Sequence, residues 1–278
     1  MGVLFTIQEG LEFYTKTELK IASYILKNHQ QVINESANSL ADLCGTSNAA
    51  IIRFVQRIGY EGLNQFKLAL AKENDEDILN NKVDVIKSED SIASLIQKSH
   101  EASKSTLDKT YELLNIAKLE KAIDKLYQAR NIYLLAIGDS LNPANAFKDK
   151  LARINKRVTL FSDYHIQMAS LAYVNPDDVV LAISFSGETK GIITASEYAV
   201  NNGAYLIAIT QFNQNSLMKM ASLSLYLPSE KMGIELGPIS SSMSSYLICD
   251  LLYLGIAKIN LNETVAKIKS CDEIIDKL

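Results

Sequence analysis

The chain has 278 residues, of which 47% are hydrophobic and 22% charged, and this composition fits a globular protein of one large or two ordinary domains. No stretch reaches the roughly 18 to 20 uninterrupted apolar residues of a membrane span, and the N-terminal stretch MGVLFTIQEGLEFYTKTELK lacks the features of a signal peptide. We therefore expect a cytoplasmic protein without a membrane partner. Three widely spaced cysteines, Cys44, Cys249 and Cys271, predict reduced thiols rather than a disulfide or a zinc site.

The N-terminal part, to about Ala71, has helical periodicity and no visible strand. Within SLADLCGTSNAAIIRFVQRIGYEG, we expect one short helix to end at Gly45 and Ser47 to cap a second helix. This pattern predicts a helix-turn-helix. A plain helical bundle is the alternative, because helix-Gly-helix patterns are common.

Four residues of the second helix and its cap are candidates for contacting DNA. The N-terminal residues of such a helix face base edges in the major groove, which suits Ser47 and Asn48. Asn48 and Arg53 can make bidentate contacts with bases, whereas Arg57, near the far end, suits a phosphate. Acidic and basic residues balance up to Ala71, so charge does not decide between DNA binding and a plain bundle.

The rest of the chain predicts a linker, further helices and then a parallel sheet. The stretch from Lys72 to about Glu89 has the composition of a linker, and helical spacing follows to Ala129. Five short apolar runs alternate with helical stretches, which predicts a three-layer αβα sandwich with a five-stranded parallel sheet. The overall class is therefore α + α/β. The predicted strands are residues 131–137, 157–161, 179–184, 204–210 and 223–227, and the predicted domains are residues 1–75, 76–110 (linker and connecting helix) and 111–278.

Two loops at predicted strand ends carry hydroxyl groups. GDS, with Ser140, follows the first strand, and SFSGET, with Ser184, Ser186, Gly187 and Thr189, follows the third. Ligands of open parallel sheets bind beyond the carboxyl ends of the strands, and a Gly-containing turn before a helix favours a phosphate. Because neither GxGxxG nor GxxxxGK[ST] is present, we expect a small phosphorylated ligand rather than a dinucleotide. The alternative is an ordinary Ser-capped turn.

Two further residues are candidates for the same site. His165 follows the second predicted strand and would lie near that edge of the sheet, although a lone histidine is more often structural. Glu235 precedes Gly237 and Pro238 and could hydrogen-bond sugar hydroxyls or act as a base.

On these residues the chain resembles a known family. The part from about Asn131 to Leu261 looks like a sugar isomerase (SIS) domain, whose SxSGxT loop is present at Ser184 to Thr189. Together with the segment LADLCGTSNAAIIRFVQRIGYEGLNQFK, the whole chain looks like an RpiR-type transcription regulator. Two departures from the family pattern are Ala136, where a glycine is common, and Ala50, where a threonine is common.

The resemblance implies roles for the site residues. Ser140, Ser184, Ser186 and Thr189 would hold the phosphate of a sugar phosphate. His165 would correspond to the histidine of the SDxHxQ segment, and Glu235 to the glutamate that isomerase relatives use for proton transfer.

We therefore expect a sequence-specific transcription regulator of sugar metabolism that binds operator DNA and a phosphorylated sugar. It would be a homodimer or a dimer of dimers, without catalytic residues, cofactor or metal. A sugar-phosphate isomerase is one alternative, although it leaves the N-terminal helices unexplained. A sugar-phosphate-sensing module that regulates an enzyme is the other.

Overall fold

The computed structural model of the protein describes residues 3–11, 14–71, 86–228 and 238–277. The chain divides into two compact units, one ending at Glu101 and one beginning at Ala102. The described part of the first unit contains only helices and turns, whereas the second unit contains a sheet with helices. The predicted fold class α + α/β is therefore confirmed. Most of the predicted linker, residues 72–85, lies outside the described residues, and the domain boundaries at residues 75 and 110 stay predictions.

The helices of the first unit pack around one apolar core. Phe54 and Phe66 are fully buried in it, together with Ile21 and Leu40 from other helices. The helices described before residue 72 are α1 (Val3–Glu9), α2 (Lys16–Val32), α3 (Ala37–Cys44), α4 (Asn48–Arg57) and α5 (Leu63–Leu70).

Two helices precede the sheet, in the region that the sequence predicts as helical. They are α6 (Ile92–Leu113) and α7 (Ile116–Gln128). The break between them comes at Asn115, whose side chain accepts a hydrogen bond from the Lys118 amide at 3.0 Å and caps α7.

The sheet of the second unit has five parallel strands in the order β2-β1-β3-β4-β5. The five predicted strands are confirmed, but β2 is shorter than predicted. The strand ends at Thr159, and the Phe161 carbonyl, at the predicted end of the strand, accepts a hydrogen bond from the Gln167 side chain at 2.6 Å. The strands are β1 (Ile132–Ala136), β2 (Val158–Thr159), β3 (Val179–Ile183), β4 (Tyr205–Gln211) and β5 (Leu223–Leu227).

Helices cover both faces of this sheet. Along β1, Ile132 and Leu134 join a core with helices α7, α8 and α12, whereas Tyr133 and Leu135 join a second core with α10. Burial on both faces confirms the three-layer sandwich. The helices are α8 (Leu141–Arg153), α9 (Tyr164–Ser170), α10 (Lys190–Asn201), α11 (Ser216–Met220), α12 (Ile239–Ile259) and α13 (Leu261–Ile275).

Helix α12 is, among the described residues, the one helix long and apolar enough to cross a membrane. Its residues Ile248, Cys249 and Leu252 are buried in the core of the second unit. Asp250 on the same helix forms an ion pair with Lys150 of α8. In this structure α12 is therefore a core helix of the sandwich.

All three cysteines are free thiols, as the sequence predicts. Cys44 and Cys249 are buried, and Cys271 is half-buried. Burial raises the pKa of the Cys249 thiol to about 12, which makes this group an inert part of the core.

Candidate functional site

The carboxyl ends of β1 and β3 lie where the strand order of the sheet reverses. β2 lies on one side of β1 and β3 on the other, and Ala136 at the end of β1 pairs with Ile183 at the end of β3. The loops that leave such a switch point diverge and form a crevice for ligands. Here the crevice is a cleft of about 230 Å³, lined by Ile137, Ser140, Ile183, Ser184, Phe185, Ser186, Thr189 and Ile192.

The four hydroxyl groups that the sequence predicts as ligand-binding all line this cleft. Ser184 Oγ lies 3.3 Å from Thr189 Oγ1, so this pair uses one hydrogen between its members and has one to offer a ligand. The Ser186 hydroxyl accepts a hydrogen bond from the Glu188 amide at 3.2 Å, and its own hydrogen remains available as a donor. Together with Ser140, these groups present donors to the cleft, which is what an anion needs.

The start of α10 adds backbone donors at the same place. Thr189 is the N-cap residue, but its side chain makes no capping hydrogen bond. The first-turn amides of α10 therefore lack a side-chain cap, and the positive end of the helix dipole favours a negative charge there.

The loop after β1 depends on Gly138. Its φ of +62° is in the left-handed region, and no atom lies within 4 Å of the position where a Cβ would be. The glycine is thus needed for backbone conformation rather than for space. The tight turn Gly138–Ser140 then brings Ser140 to the cleft. Ala136 is the buried last residue of β1, so this departure from the family pattern lies in the strand and before the turn.

Gln167, in the segment SDYHIQ, supports the end of β1, and the sequence analysis did not single it out. The buried side chain donates to the Ala136 carbonyl at 2.8 Å and accepts from the Ala136 amide at 3.2 Å. It also donates to the Phe161 carbonyl. The glutamine of the SDxHxQ segment was the available signal, but its partner on β1 could not be read from the sequence.

The structure does not bring His165 into the cleft. His165 is exposed on α9, which Asp163 caps by accepting a hydrogen bond from the Ile166 amide at 3.0 Å. Its ring contacts that of Tyr164, with ring centroids 5.6 Å apart. Glu235 lies outside the described residues. The ligand-binding roles of both residues stay predictions.

Two further residues that the sequence analysis missed, Glu188 in the SFSGET loop and Asn215 before α11, join this loop to the segment that follows β4. Glu188 accepts hydrogen bonds from Ser216, and Asn215 is buried beside Gly187. An Asn-Ser pair after a strand predicts a helix cap, and Asn215 does cap α11. Nothing in the sequence connects this cap with a loop that precedes α10.

The helix-turn-helix has the predicted local geometry. Gly45 ends α3 with a φ of +60°, and the Ser47 side chain caps α4 by accepting from the Ala50 amide at 3.3 Å. Ala50 is buried, whereas Asn48 and Arg53 are exposed on the outer face of α4. The side-chain NH₂ group of Asn48 donates a hydrogen bond to the side-chain oxygen of Asn38 on α3.

Arg57 at the end of α4 has partners within the first unit. Its guanidinium lies 2.7 and 2.6 Å from the two carboxylate oxygens of Glu18, and its carbon lies 5.5 Å from the Tyr14 ring centre. Burial opposes ionisation of Glu18, but hydrogen bonds from Thr15 and Arg57 outweigh it and lower the pKa of this carboxyl. Burial likewise raises the pKa of Tyr14. Arg57 therefore ties α4 to the start of α2, a contact that the sequence did not reveal.

Comparison with known proteins agrees with this architecture. The family described as helix-turn-helix domain, rpiR family, matches residues 1–77, and the SIS domain family matches residues 125–255. An uncharacterized HTH-type transcriptional regulator of Caldanaerobacter subterraneus subsp. tengcongensis is 34% identical, over 98% of this chain and 96% of its own. The chain belongs to the RpiR family of HTH-type transcriptional regulators.

A second relative, the uncharacterized HTH-type transcriptional regulator YbbH of Bacillus subtilis (strain 168), is 30% identical over 92% of this chain and 90% of its own. Among solved structures, the Vibrio vulnificus NanR protein complexed with ManNAc-6P matches with a TM-score of 0.62 and 23% identity. The match covers 99% of this chain and 98% of that one. This likeness supports the same fold along the whole RpiR-family chain.

In this RpiR-family regulator, the predicted site residues thus fall into three groups. One group lines the cleft, another lies on α4 and its cap, and His165 is exposed on α9 and is not among the residues that line the cleft. Gly187 belongs to the loop beside the cleft, where its φ of +64° fixes the turn.

Proposed function

We propose that this chain is a sequence-specific DNA-binding regulator of sugar metabolism, controlled by a phosphorylated sugar that binds in the SIS domain. The observation that carries the sugar-phosphate part is the set of hydroxyls from two loops around one cleft, next to the uncapped start of α10. Hydroxyls and helix-start amides are donors suited to a phosphate. The ManNAc-6P bound to the NanR protein supports a phosphorylated sugar as the ligand class.

The DNA-binding part rests on α4. Ser47, Asn48 and Arg53 are exposed at the cap and on the outer face of this helix, where a recognition helix contacts base edges. Arg57 is proposed as a phosphate contact, in which case the DNA backbone would share its guanidinium with Glu18. The two proposed sites lie in separate units, so a substitution in one site should leave binding at the other site intact.

We further propose a cytoplasmic homodimer or dimer of dimers. A single helix-turn-helix makes few contacts, and two related half-sites need a symmetric reader. The apolar part of α12 from Tyr246 to Ile256 is the proposed contact between copies, with Tyr246 and Leu254 exposed on it. Light scattering at micromolar concentration tests this, and a monomer would contradict it.

The test of the function is operator binding with and without ligand. Fluorescence anisotropy with DNA from upstream of the gene, in the presence of a panel of sugar phosphates, should reveal one that changes operator affinity. If the protein binds upstream DNA no more tightly than unrelated DNA, the proposed regulator function is contradicted. If the protein binds DNA specifically but no sugar phosphate changes its affinity, only the proposed control by a sugar phosphate is contradicted.

We do not propose an enzyme. An isomerase would leave the helix-turn-helix of residues 1–77 without a role. An isomerisation assay by NMR on the same sugar phosphates separates the two functions, since turnover would favour the isomerase.

A further inference from the structure

The SFSGET loop is fastened at its tip to the segment that follows β4. The Leu217 amide donates to the Gly187 carbonyl at 3.0 Å. The amide and hydroxyl of Ser216 donate to the two carboxylate oxygens of Glu188, at 2.7 and 2.8 Å. The side chain of Glu188 therefore binds the start of α11 and is not among the groups that line the cleft.

Asn215 forms the rigid part of this anchor. It is 2% exposed, and its carboxamide donates to Thr210 Oγ1 at 3.1 Å and to Asn213 Oδ1 at 2.8 Å. Its oxygen accepts from the Met218 amide at 2.8 Å. With both ends of the carboxamide engaged, the side chain is held in one orientation.

Gly187 packs directly on that carboxamide. A methyl group at Gly187 would overlap the Asn215 side chain and would lie 2.7 Å from Thr210 Oγ1. Thr210 in turn donates to the carbonyl of Phe185, in the same loop, at 3.2 Å. The loop thus has no room to move toward β4, and hydrogen bonds hold it on that side.

We propose that Asn215 and Glu188 are positioning residues, which hold the SFSGET loop in the conformation that binds the phosphate. The inference rests on the proposed sugar-phosphate function and adds how that site is kept in shape. The two residues act through Ser186, whose hydroxyl accepts a hydrogen bond from the backbone amide of Glu188. They also act through the hydrogen-bonded pair Ser184 and Thr189, which lie on either side of Gly187.

The role of Glu188 is to accept hydrogen bonds, and its negative charge is not needed. Glutamine retains one acceptor oxygen for the Ser216 amide, and its NH₂ group can donate to the Ser216 hydroxyl. Glu188→Gln should therefore preserve the anchor, whereas Glu188→Ala removes it. This pair of variants separates anchoring from the effect of a charge near an anion site.

The experiment is calorimetric titration of the full chain with N-acetylmannosamine 6-phosphate and, separately, with inorganic phosphate at millimolar concentration. Asn215→Ala and Glu188→Ala should each weaken binding about tenfold, the lower end of what lost outer-shell partners cost at metal sites. Glu188→Gln should keep the parental affinity. The matched controls are Asn202→Ala, at the far end of α10, where the side chain donates to the Tyr198 carbonyl at 2.8 Å, and Glu197→Gln, exposed on α10.

Three results would overturn the inference. One is a lower melting temperature of Asn215→Ala and Glu188→Ala with unchanged affinity, which would make the contacts structural only. Another is a Glu188→Gln variant as weak as Glu188→Ala. If Asn215→Ala does not fold, Ser216→Ala takes its place, and parental affinity in that variant counts against the anchor.

A parental protein that binds neither probe would remove the proposed phosphate site itself, and the inference with it. That outcome is seen before any variant is measured, so it is distinguishable from failure of the anchor alone.

Discussion

We expect Gly187→Ala to destabilise the second unit more than Gly138→Ala, although the two glycines have nearly the same backbone conformation. Their φ angles are +64° and +62°, and a side chain in this left-handed region costs about 1 to 2 kcal/mol. Around Gly138 the added methyl group meets open space, whereas at Gly187 it overlaps the Asn215 carboxamide. The pair therefore separates backbone strain from steric overlap.

The overlap has a magnitude of its own. Asn215 cannot retreat without giving up the hydrogen bond from the Met218 amide and those to Thr210 and Asn213, and forcing extra atoms into a filled interior costs about 1 to 3 kcal/mol. The free energy of unfolding should fall by about 1 to 2 kcal/mol in Gly138→Ala and by about 2 to 5 kcal/mol in Gly187→Ala.

The assay is urea unfolding of the full chain, followed by far-ultraviolet circular dichroism, with both variants in the same buffer. Equal losses in the two variants would refute the reasoning, because Asn215 would then move at no cost. Combining Gly187→Ala with Asn215→Ala provides a control, since the double variant should lose less than the two single losses added together.

Three further predictions concern the ligand, the operator and pH. Ser186→Ala should weaken binding of the cognate sugar phosphate by about tenfold or more, since hydrogen bonds to charged groups contribute about 1.5 to 3 kcal/mol. Calorimetry measures this affinity, and operator affinity without ligand should not change. Arg53→Ala should cost about 1 to 3 kcal/mol of operator affinity and leave ligand affinity intact, as checked by fluorescence anisotropy; unchanged operator affinity would exclude Arg53 from base contacts. Glu18→Gln keeps a capping-box residue but loses the ion pair with Arg57, so the first unit should lose about 0.2 to 1 kcal/mol at pH 7. The folded pKa of Glu18 lies below its ordinary value of 4.5. The stabilisation by the ion pair is therefore present above pH 4.5 and disappears as the pH falls through the folded pKa. Unfolding curves of the parental protein and Glu18→Gln across that pH range test this.

The sequence predicted elements whose signals are local. Gly45 and Ser47 mark the turn of the helix-turn-helix, and both act as predicted. The buried strands were recognisable as short apolar runs, because a parallel sheet covered on both faces needs apolar residues on both.

The candidate site was predicted only in part, because its supporting contacts join distant segments. The hydroxyls of the cleft follow a recognisable loop pattern. Glu188 and Ser216 are 28 residues apart, and Arg57 and Glu18 are 39 apart. A single sequence carries no record of such pairs, so an exposed arginine on α4 could be recognised but its carboxylate partner could not.

Gln167 has a consequence for the shape of the sheet. Its side-chain carboxamide carries a donor and an acceptor, as a peptide group does, and it hydrogen-bonds to Ala136 at the edge of β1 that the two-residue strand β2 leaves uncovered. One side chain thus replaces a strand residue and blocks that edge against pairing with a foreign chain. Because Ala136 lies two residues before Gly138 of the GDS loop and His165 lies two residues before Gln167, the same side-chain amide also joins the start of that loop to the helix that carries His165.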